Sequence, residues 1–316
     1  KNYKVSDDIQ GGMPFKGTAR CGYVALVGAP NAGKSTLLNQ LVGAKIAIVT
    51  PKVQTTRTRV TAIALEGESQ IIFVDTPGIF KPARRLEKAM VDAAWSGAED
   101  ADRVALIVDA AKGITKDVER IIDRLEKSGR RAHVILNKVD IIKRDKLLAL
   151  AQGFIERGIF DDIFMVSALT GDGVADLRAA LAKEMPEGAW LYPEDQLAIA
   201  PMRQLAAEVT REKLFMRLNQ ELPYSLTVET ESWEERKDGS VRIQQVIFVS
   251  RANHKPIVLG KGGQTIRQIG ALARAELEEM LERRVHLFLF VKVREKWLDD
   301  PERYREMGLE FPKNTD

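Results

Sequence analysis

The stretch Gly28-Ala29-Pro30-Asn31-Ala32-Gly33-Lys34-Ser35-Thr36 fits the pattern G-x-x-x-x-G-K-[ST]. An apolar run, Tyr23–Val27, precedes it and reads as a buried strand. Leu37, Leu38, Leu41 and Val42 follow it at helical spacing. Strand, glycine turn and helix in that order make the setting of a phosphate-binding loop. The glycines let backbone N–H groups approach phosphate oxygens, and the helix N-terminus adds its partial positive charge. Asn31, Ala32, Gly33, Lys34, Ser35 and Thr36 are therefore the candidate phosphate contacts. Lys34 reaches the β- and γ-phosphates, and Ser35 ligates Mg2+.

Outward from this loop, β-like apolar runs alternate with helical patterns from about residue 20 to 190. Strands are expected at Tyr23–Val27, Thr61–Leu65, Gln70–Val74, Arg103–Val108, Ala132–Leu136 and Asp162–Val166, and helices at 34–42, 84–97, 116–127, 143–155 and 174–184. This alternation predicts an α/β P-loop domain, a doubly wound and mostly parallel sheet whose ligands sit at the carboxyl ends of the strands. A short turn separates the second and third strands, which are expected to form an antiparallel hairpin at one edge.

Polar motifs stand where those strands end. Asp75-Thr76-Pro77-Gly78 follows the third strand. Asp75 is placed to hold Mg2+ through a water, and the Gly78 N–H to sense a γ-phosphate. Asn137-Lys138-Val139-Asp140 follows the strand ending at Leu136. A carboxylate at Asp140 can accept from both N1–H and the exocyclic amine of guanine, a pattern adenine lacks, and a buried acceptor left unpaired is costly. Asn137 ties this loop to the phosphate loop, and the Lys138 stem covers the base. Ser167-Ala168-Leu169 follows the strand ending at Val166 and offers backbone N–H groups to guanine O6.

Together these four motifs resemble the first, third, fourth and fifth motifs of small GTPases. The resemblance implies a further Mg2+ ligand in Gln54-Thr55-Thr56-Arg57: Thr56 is favoured, with Thr55 the runner-up. It also implies that Lys34, Asn31, Thr56 and Gly78 carry catalysis. Ile79 stands where Ras-like enzymes carry a water-orienting glutamine, so intrinsic turnover is expected at roughly 10⁻⁴ to 10⁻² s⁻¹. In related GTPases an asparagine placed like Asn31 helps bind K+, which implies a monovalent ion in place of an arginine finger.

Pro186, Gly188 and Pro193 break the pattern. A helix follows, with Leu205, Val209, Leu214 and Leu218 on one side, then strands at Ser225–Trp233 and Ser240–Ser250. Gly260-Lys261-Gly262-Gly263 joins two helical patterns, and a last strand runs from Val285 to Val293. The order α-β-β-α-α-β with G-x-x-G between its paired helices resembles a type II KH domain, whose loop clamps a four-nucleotide single strand. Arg251, His254, Lys255, Lys261, Arg267 and Arg274 surround the loop and suit backbone binding. The bland alternative is a glycine turn with a solvated basic rim. The run Val285–Val291, with Phe288 and Phe290, reads as a core strand rather than a base-stacking platform, and the charged end from Asp299 as a terminal helix and a loose end.

Bulk properties set bounds on this reading. Of 316 residues, 45% are hydrophobic and 29% charged, ordinary for a soluble globular chain of about two domains. The net charge of +3 leaves room for a local basic face, and a lone Cys21 fits a reducing compartment. We divide the chain into a flexible tail (1–19), a GTPase domain (20–186), a linker (187–200), a KH domain (201–308) and a second tail (309–316).

A GTPase domain followed by a KH domain resembles the Era-like GTPases, down to Glu221-Leu222-Pro223-Tyr224-Ser225. The resemblance implies a cytoplasmic, monomeric GTP/GDP switch. It also implies that the KH domain holds the 3′ end of 16S rRNA and that the chain assists assembly of the 30S ribosomal subunit. Two other readings are a structural RNA-binding factor with a passive nucleotide and a GTPase peripheral to the inner membrane in cell-cycle control.

Overall fold

β1 (Arg20–Gly28) leads through the phosphate loop into α1 (Lys34–Val42). The computed structural model describes residues 18–52, 55–57, 60–82, 84–197, 202–219, 222–295, 300–306 and 309–312. Most of the expected N-terminal tail, Gln54, the end of the linker, Trp297 and residues 313–316 lie outside these.

The first domain continues with β2 (Val60–Glu66), β3 (Ser69–Asp75), α2 (Arg85–Asp100), β4 (Arg103–Asp109), α3 (Lys116–Ser128), β5 (Ala132–Asn137), α4 (Arg144–Ile155), β6 (Phe160–Val166) and α5 (Val174–Lys183). Its six strands order as β2-β3-β1-β4-β5-β6. All neighbours are parallel except β2 and β3, whose hairpin forms the expected edge. Each face of the sheet is covered, which is why its strands read as unbroken apolar runs. Leu37, Leu41, Leu177 and Leu181 pack from α1 and α5 onto Leu26, Phe73 and Ile107. Trp95, Ile121, Ile122 and Phe154 pack from α2, α3 and α4 onto Val27, Leu106 and Leu136.

The linker is fastened to this domain over its described part. Trp190 Nε1 donates to Glu68 O at 3.0 Å. The buried amide of Gln70 accepts from Leu191 N and Tyr192 N at 2.9 and 3.1 Å and donates to Tyr192 O at 2.8 Å. Ile63 N, on the outer edge of β2, donates to Leu197 O at 2.9 Å. The free edge of the sheet is thus partly closed by the chain's own connector.

The second domain runs α6 (Met202–Arg217), β7 (Leu226–Glu235), β8 (Val241–Val249), α7 (His254–Leu259), α8 (Gln264–Leu281) and β9 (Val285–Val293). Its three strands order as β7-β8-β9, with β7 and β8 antiparallel and β8 and β9 parallel. Val209, Leu214, Ile269, Ala273 and Leu277 pack from α6 and α8 onto Ile243, Ile247 and Val249. These helices cover one face only. The expectation that 285–291 is a core strand is therefore corrected. Val285 and Val291 are buried, but Phe288 and Phe290, on the opposite face, are 43% and 46% exposed. The Arg242 guanidinium lies over the Phe288 ring, 5.1 Å from its centroid.

The end of the chain is not loose where it is described. In α9 (Pro301–Glu306) Tyr304 is fully buried. With Leu309 it packs against Leu86, Ala89 and Met90 of α2, and Phe311 meets Tyr304 edge-on at 4.9 Å. A few apolar residues in a charged stretch give no periodicity, and their partner helix lies far upstream in sequence. Tyr304→Ala is expected to cost about 3 kcal/mol in urea unfolding, in line with large-to-small changes at buried positions; an unchanged midpoint would count against this docking.

Candidate nucleotide site and nucleic-acid loop

The phosphate loop closes β1 onto α1. Gly33 has φ +96°, and a Cβ there would overlap Asn137 Nδ2, so only glycine fits. No acidic residue stands in the first turn of α1 to neutralise its positive end. Lys34 is buried, and its Nζ donates to Gly28 O and Ala29 O at 3.0 and 3.1 Å. Burial pulls its pKa down to about 8, with the Asp75 charge opposing.

Three oxygen-bearing side chains meet beside it. Ser35 Oγ donates to Asp75 Oδ2 at 2.8 Å and lies 2.9 Å from Thr56 Oγ1. Asp75 Oδ1 is buried with no hydrogen-bond partner among the described residues. Burial pushes the Asp75 carboxyl up to about 6, against Lys34, Ser35 and the Thr76 N–H. A hard oxygen donor set with an orphaned carboxylate oxygen fits Mg2+. Thr55 Oγ1 instead bonds Thr50 Oγ1 at 2.6 Å and Lys52 O at 2.8 Å, so the structure brings Thr56, not Thr55, to Ser35. Gly78 lies against Pro30. Ile79 donates its N–H to Gly28 O at 3.0 Å and is buried on the α2 side of the sheet. Asn31 has φ +61°, and its Nδ2 donates to Pro51 O at 3.1 Å.

The base-side loops converge on Asn137. Its Nδ2 donates to Ala32 O at 2.9 Å, while its Oδ1 accepts from Lys138 N at 2.8 Å and Ala168 N at 2.9 Å. Within the 167–169 turn, the Ala168 N–H is thus engaged inside the protein. Lys138 Nζ donates to Asn31 O at 2.9 Å and Asp109 Oδ2 at 2.6 Å, which holds its stem across the loop. Sequence reasoning misses Asp109, at the carboxyl end of β4, although its position after an apolar run is the mark the other site residues carry. Asp140 is exposed in a 3₁₀ turn after β5, Ser167 is buried, and Leu169 is 77% exposed.

Sequence reasoning also misses the charges that join the two domains. Arg57 Nη1 and Nη2 donate to Leu226 O and Pro223 O at 2.7 and 3.1 Å. Burial, then the Arg211 charge, lowers the Arg57 pKa to about 9. Glu212 is buried and accepts from Val49 N, Lys45 Nζ and Lys213 Nζ at 2.7–2.8 Å. Burial raises the Glu212 carboxyl, but those hydrogen bonds outweigh it and hold the group below its ordinary value.

The second candidate site is the turn between α7 and α8. Gly260 has φ +72°, and a Cβ there would overlap Thr265. Arg251, Lys255, Lys261 and Arg267 are exposed around it, and Gly262 and Gly263 keep positive φ. Arg267 Nη2 donates to Gly262 O at 2.5 Å and braces the loop. Ile257 and Leu272 are 56% and 45% exposed nearby in sequence, adding apolar surface to a basic rim.

Removing the Asn137 amide strands a buried Ala168 N–H and frees three loops. Asn137→Ala is expected to destabilise the protein by about 2–3 kcal/mol in denaturant unfolding; a change under about 0.5 kcal/mol would remove Asn137 as the junction of these loops.

Residues 23–138 match the family described as 50S ribosome-binding GTPase, and residues 221–298 match the KH domain family. The chain is 61% identical to GTPase Era of Afipia carboxidovorans over 93% of its own length and 96% of the relative's. It is 58% identical to GTPase Era of Rhizobium meliloti over 97% of both. A solved Aquifex aeolicus Era variant bound to GDP.AlF4- is similar in structure, with a TM-score of 0.87, 39% identity, and coverage of 92% of this chain and 99% of that one. A solved Era in complex with MgGDPNP and nucleotides 1506-1542 of 16S ribosomal RNA has the same TM-score, identity and coverage. Identity at this level over nearly the full length, on a P-loop domain joined to a KH domain, means that the chain belongs to the GTPase Era family and is a GTPase.

Proposed function

We propose that this GTPase is a slow switch that holds the 3′ end of 16S rRNA on its KH domain and assists assembly of the 30S subunit in the cytoplasm, as a monomer. The observation that carries this reading is the likeness, over 92% of the chain, to an Era solved with MgGDPNP and nucleotides 1506-1542 of 16S rRNA. The exposed basic rim around Gly260–Gly263 supports it, because backbone N–H groups freed of side chains can approach phosphates.

We assign GTPase chemistry to residues 20–186 and RNA binding to 201–308, with Leu309 and Phe311 now joined to the folded part. Ser35, Thr56 and Asp75 would hold Mg2+, which neutralises charge on the β- and γ-phosphates. Lys34 would sit on the same phosphates, the Gly78 N–H would face the γ-phosphate, and Asn31 to Thr36 would line the cradle. Asp140 would select guanine, with Asn137, Lys138 and the 167–169 turn shaping the pocket. Ile79 is buried and apolar, so it orients no water, and the missing positive charge is assigned to K+ beside Asn31.

Lys261→Glu is expected to weaken binding of a 16S 3′-end oligonucleotide about tenfold and to reduce the slope of log affinity against log salt by about 1. GDP affinity should stay at the parent level. Parent-like RNA binding by this variant in filter assays would overturn the loop assignment. Replacing K+ by Na+ is expected to slow single-turnover GTP hydrolysis; equal rates in the two salts would sink the role given to Asn31.

A further inference from the structure

The segment that carries Thr56 has no scaffold of its own. Between residues 45 and 57 the described backbone is neither helix nor strand. Asn39 and Asn31 of its own domain tie it at Ile46, Ala47 and Pro51, and further fastenings come from the second domain. Val49 N and Lys45 Nζ donate to Glu212 at 2.8 Å each, and Lys52 Nζ donates to Leu218 O. Arg57 reaches Pro223 O and Leu226 O. Closest to the metal ligand, Arg211 Nη2 donates to Thr55 O. That carbonyl belongs to the same planar peptide unit as the Thr56 nitrogen, so fixing its direction fixes the start of Thr56.

Arg211 is built for this position. It is 2% exposed. Glu208, one helical turn earlier in α6, grips its Nε and Nη2 at 2.8 and 2.5 Å. The Phe215 ring, fully buried, lies 5.1 Å from the Arg211 guanidinium and 5.5 Å from that of Arg57. A guanidinium held by a carboxylate fork and an aromatic ring has little freedom left to lose when it donates to Thr55.

We propose that Arg211, in the KH domain, is a positioning residue for the Mg2+ ligand Thr56 of the GTPase domain, with Glu212 holding the same segment at Val49. This rests on reading Ser35, Thr56 and Asp75 as the Mg2+ site. The metal site of one domain is then complete only while α6 of the other is seated against it. Any RNA that shifts α6 alters the hold on Thr56, and by linkage the seating of Thr56 on Mg2+ alters the affinity for that RNA.

The test uses the full chain. In Arg211→Ala the Mg2+ concentration for half-maximal single-turnover GTP hydrolysis should rise about tenfold, the lower range for loss of a group that orients a metal ligand. Amide exchange of residues 49–57, measured with Mg2+ and a non-hydrolysable GTP analogue, should quicken in the same variant. GDP affinity should not change, because a segment that supplies a Mg2+ ligand of this kind is held through the γ-phosphate and its Mg2+. Arg211→Lys keeps the charge and a donor group without the planar fork, and should restore part of both losses.

Parent-like Mg2+ dependence together with parent-like exchange in Arg211→Ala would overturn the proposal. So would losses that extend equally to GDP binding and are not relieved in Arg211→Lys, since these would mark a merely structural residue. Failure of the unsubstituted chain to bind GDP would overturn the reading of the site itself.

Discussion

The Asn137 side chain is the tie on which the nucleotide site depends. One buried amide joins the phosphate loop at Ala32, its own strand end at Lys138, and the turn after β6 at Ala168. These segments come from separate βα units, set side by side by the sheet. Both the nitrogen and the oxygen of the amide are hydrogen-bonded, as a buried polar group requires. Lys138 adds a second strap, from Asp109 across to Asn31. The cradle is therefore shaped before any ligand arrives, which lowers the ordering that binding must supply.

A second constraint acts between the domains, and its character is electrostatic. Arg57, Arg211 and Glu212 are nearly or wholly buried. Buried charges cost heavily unless paired and hydrogen-bonded. Here carbonyls of Pro223, Leu226 and Thr55, the carboxylate of Glu208 and the Val49 N–H meet them. Arg57 remains charged at neutral pH although burial draws its pKa to about 9. Such contacts are directional, so they specify one seating of the domains where an apolar interface would tolerate sliding. They also fasten on the segment that bears Thr56, so the domain contact and the candidate metal site share one stretch of backbone.

Much of this architecture is legible in the residues themselves. The strand-loop-helix order at 23–42, the hairpin of β2 and β3, and the α-β-β-α-α-β order of the second domain follow from periodicity and glycine placement, which are local properties. The misreadings have one cause. Phe288 and Phe290 read as core because an apolar run cannot say whether both faces of a sheet are covered. Leu309 and Phe311 read as loose because their partners lie in α2 or α9.

Sequence by itself determined the phosphate loop, the order of motifs at the strand ends, the two-domain division and the G-x-x-G turn, because each is encoded by residue type at short spacing. Tertiary structure alone decided that Thr56 rather than Thr55 meets Ser35, that Asp109 steadies Lys138, and that Arg211 and Glu212 hold the Thr56 segment. Those are contacts between side chains and backbone brought together by packing, and spacing along the chain carries no record of which distant group will stand within hydrogen-bond reach.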